Sequence, residues 1–388
     1  MPLLRRASSS LPELLSGRIR FLDAVRGIAV LLMIVVHTTD AFLALDYRSG
    51  WYWNQVNIIF GFVAPAFLFF SGVTFQLALA RREEKNRPVR DIGIRAVQIL
   101  FLGYWLQIPS HSLRVALTAS PEQVARFFDC NILQLIGGMM FLSLLIYKLV
   151  RSTAVMERGV WIGICVIILA TPLIPKFLNQ VELPVFVRYW IEPEGSFPLF
   201  PFASYFLIGF ALSRRLIARA LQPKGGLQLA VAGLLILLLS EGVDYVQSTL
   251  LHYSEFWANS PALVLFRIGG VLLLTGTVAY LMSISKESEG REKISQIERI
   301  GRASLPVYIL HLMLIYGSPV NMGMRYWYGS FLHQLMSPEE VLATFAAIAG
   351  LTWIAILLWQ QVEHRHPKLA STLRWCWWVG FGVLFLVA

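Results

Sequence analysis

Charge is what this chain has least of, and cysteine is nearly as scarce. Acidic and basic residues together fill only 14% of its 388 positions, against 56% hydrophobic residues. With a mean hydropathy of +0.62, the chain lies outside the soluble globular range, so its length counts membrane spans and not soluble domains. The three cysteines, Cys130, Cys165 and Cys376, offer no external pair and imply no disulfide framework. None of the 7 histidines shows a metal-ligand spacing such as H-E-x-x-H, so no metal is expected. No P-loop, dinucleotide fingerprint or G-x-S-x-G elbow stands in a suitable context either. Nor is there a matched pair of Gly/Pro-broken spans, the mark of an inverted-repeat transporter.

What is present is a series of long apolar runs. Eleven are expected to cross a bilayer, near 21–44, 56–80, 93–110, 131–150, 159–175, 197–213, 227–246, 261–283, 303–323, 339–362 and 371–388. The expected fold is therefore an all-α polytopic helix bundle of about 11 transmembrane helices. A polar leader, residues 1–17, precedes a single membrane domain, 18–388. The leader carries no A-x-A-like cleavage site, and the first span is too long for a signal-peptide core. The longest external segments, near 110–130, 176–196 and 247–260, are too short to fold alone.

The net charge of +10 is distributed unevenly. With the N-terminus placed inside, only Arg48, Arg114, Arg126, Lys176, Arg188 and Arg325 of the 33 basic residues fall outside, and Arg26 and Arg267 fall within spans. The rest lie in inner segments, which fixes an N-in, C-out expectation. These residues orient the chain and can touch anionic lipid. No basic stripe or stacking module accompanies them, so no nucleic-acid partner is expected.

The first span, RIRFLDAVRGIAVLLMIVVHTTDAF (18–42), carries Asp23, Arg26, His37 and Asp40. Ionisable groups within a bilayer are costly and are usually kept for a function. At about 100° per residue all four fall within an arc of roughly 100°. Arg26 and His37 are separated by about 16 Å along the axis. The functional reading makes His37 a general base oriented by Asp40, with Arg26 holding an anion on the inner side. The bland reading is interfacial snorkelling for Asp23 and Arg26 and a buried hydrogen bond for His37.

Other polar groups are weaker signals. Ser304, Tyr308 and His311 share a face at i, i+4 and i+7, where His311 is a second proton-handling group or an interhelical lock. Asp129, Asn131 and Gln134 gather at an outer helix end, where Asp129 is a candidate acceptor contact and the amides are candidate glue. Arg267 needs a partner, with Glu241 or Asp244 in reach. The first external loop sets Arg48 beside Trp51, Tyr52 and Trp53, either an interface belt or a sugar-stacking platform. His111, His252, His333, His364 and His366 fall in loops or at span ends.

RFLDAVRGIAVLLMIVVH, with ten residues between Arg26 and His37, resembles the signature of the transmembrane acyltransferase superfamily, which includes the acyltransferase-3 enzymes. Further matching segments are APAFLFFSGVTFQLALARR, FPLFPFASYFLIGFALSR, FWANSPALVLFRIGG and GRASLPVYILHLMLIYG. Together they are closest to bacterial members of the heparan-alpha-glucosaminide N-acetyltransferase family. The resemblance implies transfer of an acetyl group from cytosolic acetyl-CoA, a co-substrate and not a resident cofactor, to an acceptor across the membrane. Arg26 and His37 match the superfamily motif. Lysosomal members of the family have asparagine at the position of His37 and a proposed catalytic histidine in the first luminal loop. Loop 45–54 here has no histidine, so either His37 carries the chemistry or the acceptor differs.

The expected function is that of a multi-pass inner-membrane acyltransferase. His37 and Asp40 would be catalytic, and Arg26, Arg81 and Arg82 would meet the acetyl-CoA phosphates, which suit arginine's planar fork. Arg48, Trp51, Asp129 and His311 would contact a glycan or small-molecule acceptor. Two alternatives remain: a transporter of a small anion or lipid-linked sugar that uses the same track, and a non-catalytic partner in a cell-envelope assembly.

Overall fold

A computed structural model describes residues 18–373 except 109–111, 113, 115–116, 192–195, 223, 252–255, 290–294 and 328–333, and it also describes Cys376. The leader 1–17, His111, His252, His333 and nearly all of the expected eleventh span, 371–388, lie outside these residues. The main helices are α1 (Arg20–Phe42), α2 (Gly50–Phe60), α3 (Val63–Glu84), α4 (Arg90–Leu106), α5 (Ile132–Val150) and α6 (Thr153–Ala170). They continue with α7 (Leu199–Ala220), α8 (Gly225–Leu251), α9 (Pro261–Glu289), α10 (Gln296–Arg302), α11 (Ser304–Ile315) and α12 (Pro338–Arg365). Within the described residues, strand structure is confined to a hairpin of Gly317–Ser318 with Asn321–Met322 and an isolated bridge between Leu43 and Met336. The chain is an all-α membrane bundle.

Seven helical segments among the described residues are long and apolar enough to cross a bilayer: Arg20–Phe42, Gly50–Glu84, Ile132–Val150, Thr153–Leu178, Gly225–Thr249, Pro261–Ile284 and Pro338–Arg365. Three further expected spans are helical but differ in kind. α4 has 17 residues, and α7 carries Arg214 and Arg215 one turn before its last, which holds Arg219. α11 has only 12 residues, about 18 Å of rise, and is too short to cross alone. It is separated from α10 at Ala303, which leaves the helical region with φ −96° and ψ 22°.

The chain divides into two compact units. The first comprises Met1–Val25, Ala64–Leu102 and Asp129–Glu298, and the second Arg26–Val63, Gly103–Phe128 and Arg299–Ala388. In the first unit, α8 and α9 form a closely packed antiparallel pair. Gly226 and Gly233 on α8 face Gly276 and Gly269 on α9, with a spacing of seven positions on each helix, so each set lies on one face. A Cβ added to Gly233 would lie 2.3 Å from the Leu273 backbone nitrogen, and one on Gly276 would lie 2.2 Å from that of Ala230. In lipid, where burial of apolar surface supplies no drive for association, such close backbone approach is a main source of helix pairing. α3 and α7 approach in the same manner, through Gly72 against Phe206 and Gly209 against Phe69.

Some charged groups of the first unit are paired. Asp23 takes a hydrogen bond from Arg18 Nε at 2.7 Å, and Arg20 makes a two-point ion pair with Glu298, at 3.0 Å from Nε and 2.9 Å from the second nitrogen. Arg267 lies 5.5 Å above the Phe202 ring and makes no ion pair among the described residues. The expected link to Glu241 or Asp244 is thus replaced by a cation–π contact; Glu241 is exposed and Asp244 partly so. In the second unit, the strand-like bridge ties the end of α1 to the approach of α12, with Met336 N donating to Phe42 O and Ala44 N donating to Met336 O. α12 then starts with a reciprocal Ser337–Glu340 capping box.

Candidate functional site

The second unit contains Arg26, His37 and Asp40 of the first span. Within it, residues of α1 are matched one to one by residues of α11: the Arg26 guanidinium donates to Ser304 Oγ, and His37 Nδ1 lies 2.9 Å from His311 Nε2. Both matches run in chain order, so the two helices are parallel. The α1 pair is eleven positions apart, about 16 Å, and the α11 pair seven positions apart, about 10 Å; the long arginine side chain spans the difference. Ser304, Tyr308 and His311 are all buried on one face of α11, as their spacing predicts, and the Tyr308 ring meets His311 edge-on at 5.6 Å.

Hydrogen-bond logic assigns the protons of the histidine pair. His311 Nδ1 lies 2.8 Å from the carbonyl oxygen of Val307. A carbonyl only accepts, so His311 Nδ1 carries a proton, and the neutral ring presents a lone pair at Nε2. His37 Nδ1–H therefore donates to it, which leaves the lone pair of His37 at Nε2. His311 is fully buried and His37 only half-buried, so His37 is the accessible member. The rings are stacked with centroids 5.1 Å apart. Tyr316 steadies the same residue, its hydroxyl donating to the His37 carbonyl at 3.2 Å and its ring lying edge-on at 5.8 Å. This arrangement can accept a proton at one defined nitrogen and return it there.

The other expected site residues fall elsewhere. Asp40 is exposed, one turn beyond His37 and in the field of Arg48, whereas the nitrogen it was expected to orient is engaged by His311. Arg48 closes the end of α1, donating to the carbonyls of Thr39 at 2.9 Å, Asp40 at 3.1 Å and Leu43 at 3.1 Å, and its guanidinium lies 5.7 Å above Trp53. The aromatic loop is itself helical, as α2, with Trp51 and Tyr52 stacked edge-on and both exposed. In the first unit, Arg82 donates to Asp91 at 2.8 Å and to Pro88 O at 3.0 Å, closing the turn between α3 and α4 that follows Arg81. Asp129, also in the first unit, accepts from the backbone nitrogen and hydroxyl of Ser196 and so ties two loops together. Tyr316 and the Arg20–Glu298 pair were missed in the sequence: one lies just past α11, and the other joins residues 278 apart.

Comparison with known families sets the class. A family model described as an acyltransferase domain matches residues 132–360, which include His311. With this helix bundle, that makes the protein a membrane acyltransferase. A second model, described as heparan-alpha-glucosaminide N-acetyltransferase, catalytic, matches residues 18–241, more than half the chain, with Arg26 and His37 inside the match. The chain belongs to that family. No curated protein and no solved structure matches it.

Proposed function

We propose that the protein moves an acetyl group from cytosolic acetyl-CoA to an amine or hydroxyl of an extracytoplasmic glycan or small molecule. It would sit in the inner membrane as a single domain of eleven spans, N-terminus inside, consistent with the skew of its basic residues. The observation that carries the chemistry is the His37–His311 pair at 2.9 Å, which leaves the His37 Nε2 lone pair for a substrate proton. His37 Nε2 takes the proton from the acceptor as its nitrogen or oxygen attacks the thioester carbonyl. The new N–C or O–C bond forms, the C–S bond breaks, and the CoA thiolate leaves with the proton that His37 returns.

Arg26, which donates to Ser304 Oγ, would meet the phosphate end of the donor. Arg81 and Arg82, in the last turn of α3, would be further phosphate contacts. The orienting role expected of Asp40 passes to His311. The match to the heparan-alpha-glucosaminide family favours an amino sugar as acceptor. The test is CoA release by the purified protein in nanodiscs with acetyl-CoA and a hexosamine acceptor. His37→Ala should lower turnover by about 10²–10⁴-fold with acetyl-CoA still bound, and Arg26→Ala should weaken binding. Parent protein that is folded but neither binds nor consumes millimolar acetyl-CoA would overturn the proposal and point to transport.

A further inference from the structure

A groove of about 710 Å³ lies on the first unit between the inner ends of α4 and α5. Its walls are almost wholly apolar, with Ile94 and Val97 from α4 facing Phe141 and Leu145 from α5, each about half exposed. Gly93 keeps the floor open, since a Cβ there would lie 3.1 Å from Leu144 Cδ2. Three polar side chains interrupt this apolar lining: Gln98 part-way along α4, and two cations that cluster at one end. Arg90, the first residue of α4, and Lys148, in the last turn of α5, both line the same end of the groove, and neither makes an ion pair among the described residues. Two unpaired cations above a slot of hydrocarbon-lining side chains match a ligand with an anionic head and an apolar tail.

We infer that this groove is a seat for one anionic phospholipid of the cytosolic leaflet, its phosphate between Arg90 and Lys148 and an acyl chain lying along Val97 and Phe141. The inference rests on the N-in topology proposed above, which puts Arg90 and Lys148 at the depth of cytosolic headgroups. It does not rest on the acetyl-transfer reading. Charge complementarity selects the occupant: a zwitterionic lipid gains little from two cations, whereas an anionic headgroup gains from both. A free anion such as inorganic phosphate would use the cations but leave the apolar walls unfilled, so the same groove distinguishes a lipid from its bare headgroup.

The test is native mass spectrometry of the detergent-purified full-length protein, titrated with phosphatidylglycerol or phosphatidylcholine, with acetyl-CoA turnover read on the same samples. The parent should retain one phosphatidylglycerol about tenfold more strongly than phosphatidylcholine, with the preference shrinking as salt rises. The double variant R90Q/K148Q should lose this preference, the charge-keeping R90K/K148R should hold it, and V97F should lose it by filling the slot with both charges in place. R365Q, an exposed cation outside the groove, should leave it unchanged. Equal retention of the two lipids by the parent would overturn the seat. So would a preference that survives both R90Q/K148Q and V97F, or competition by inorganic phosphate as effective as that by phosphatidylglycerol. Turnover without lipid preference would sink this inference alone, and lipid preference without turnover would sink the transferase reading alone.

Discussion

At the scale of single residues, the site depends on which nitrogen of His37 is free. The sequence shows His37 and Arg26 as unusual because ionisable groups are rare in an apolar helix, and it shows His311 because i, i+4, i+7 spacing gathers Ser304, Tyr308 and His311 on one face. It does not show that His37 Nδ1 meets His311, because that contact joins residues 274 apart in the chain. The assignment of protons gives a direct expectation. His311→Phe keeps the bulk but removes the acceptor at Nε2, so His37 loses its fixed tautomer; turnover should fall about 10²-fold or more with the KM for acetyl-CoA little changed. His311→Gln, whose amide oxygen can accept from His37 Nδ1, should recover part of that loss. In a double-mutant cycle, the fall caused by His311→Phe should vanish when His37 is already alanine. Additive losses would mean that the two rings act separately. Stability offers a second residue-scale check. Glu298 is almost fully buried against Arg20, so Glu298→Gln removes the buried member of this ion pair and should cost roughly 3 kcal/mol in unfolding measurements.

At the scale of helices, close packing is set by glycines that hydropathy patterns pass over. Seven-residue spacing of Gly226 and Gly233, and of Gly269 and Gly276, is visible in the sequence, but its meaning appears only when the two helices are paired antiparallel. Gly242, on the same helix α8, has nothing within 4 Å of an added Cβ and serves as the internal control. Gly233→Ala should lower the thermal midpoint in detergent, at a cost of about 1–3 kcal/mol, while Gly242→Ala should be neutral or slightly stabilising from helix propensity. Equal shifts for both would show that the glycine face does not set the pairing. Most helix positions were legible because long apolar runs in a membrane protein have little alternative to helix. α11 was not legible as a 12-residue piece: its apolar pattern runs on through Tyr316, and the break at Ala303 and the turn at Gly317, where φ is 88°, are local changes of backbone conformation that average hydropathy does not register.

At the scale of the whole molecule, the account joins a charge asymmetry to a reaction that spans the bilayer. Topology is testable by thiol labelling in intact cells, with Cys165 and Cys376 replaced by serine. Cys130 stays as a silent internal standard, since burial first and the Asp129 carboxylate second push its thiol well above the ordinary range. A cysteine placed at Ser49 should react with an impermeant reagent from outside, and one at Ser152 only after permeabilisation. The reverse pattern would invert the topology and with it the assigned direction of transfer. The central claim is that His37 mediates acetyl transfer from a donor on one side to an acceptor on the other. Its most direct test uses oriented proteoliposomes with radiolabelled acetyl-CoA added at the basic face and a hexosamine trapped within. Label should accumulate on the trapped acceptor with the parent protein and fall to background with His37→Ala. Equal accumulation with the two proteins, or label found only on acceptor mixed with the donor outside, would contradict it.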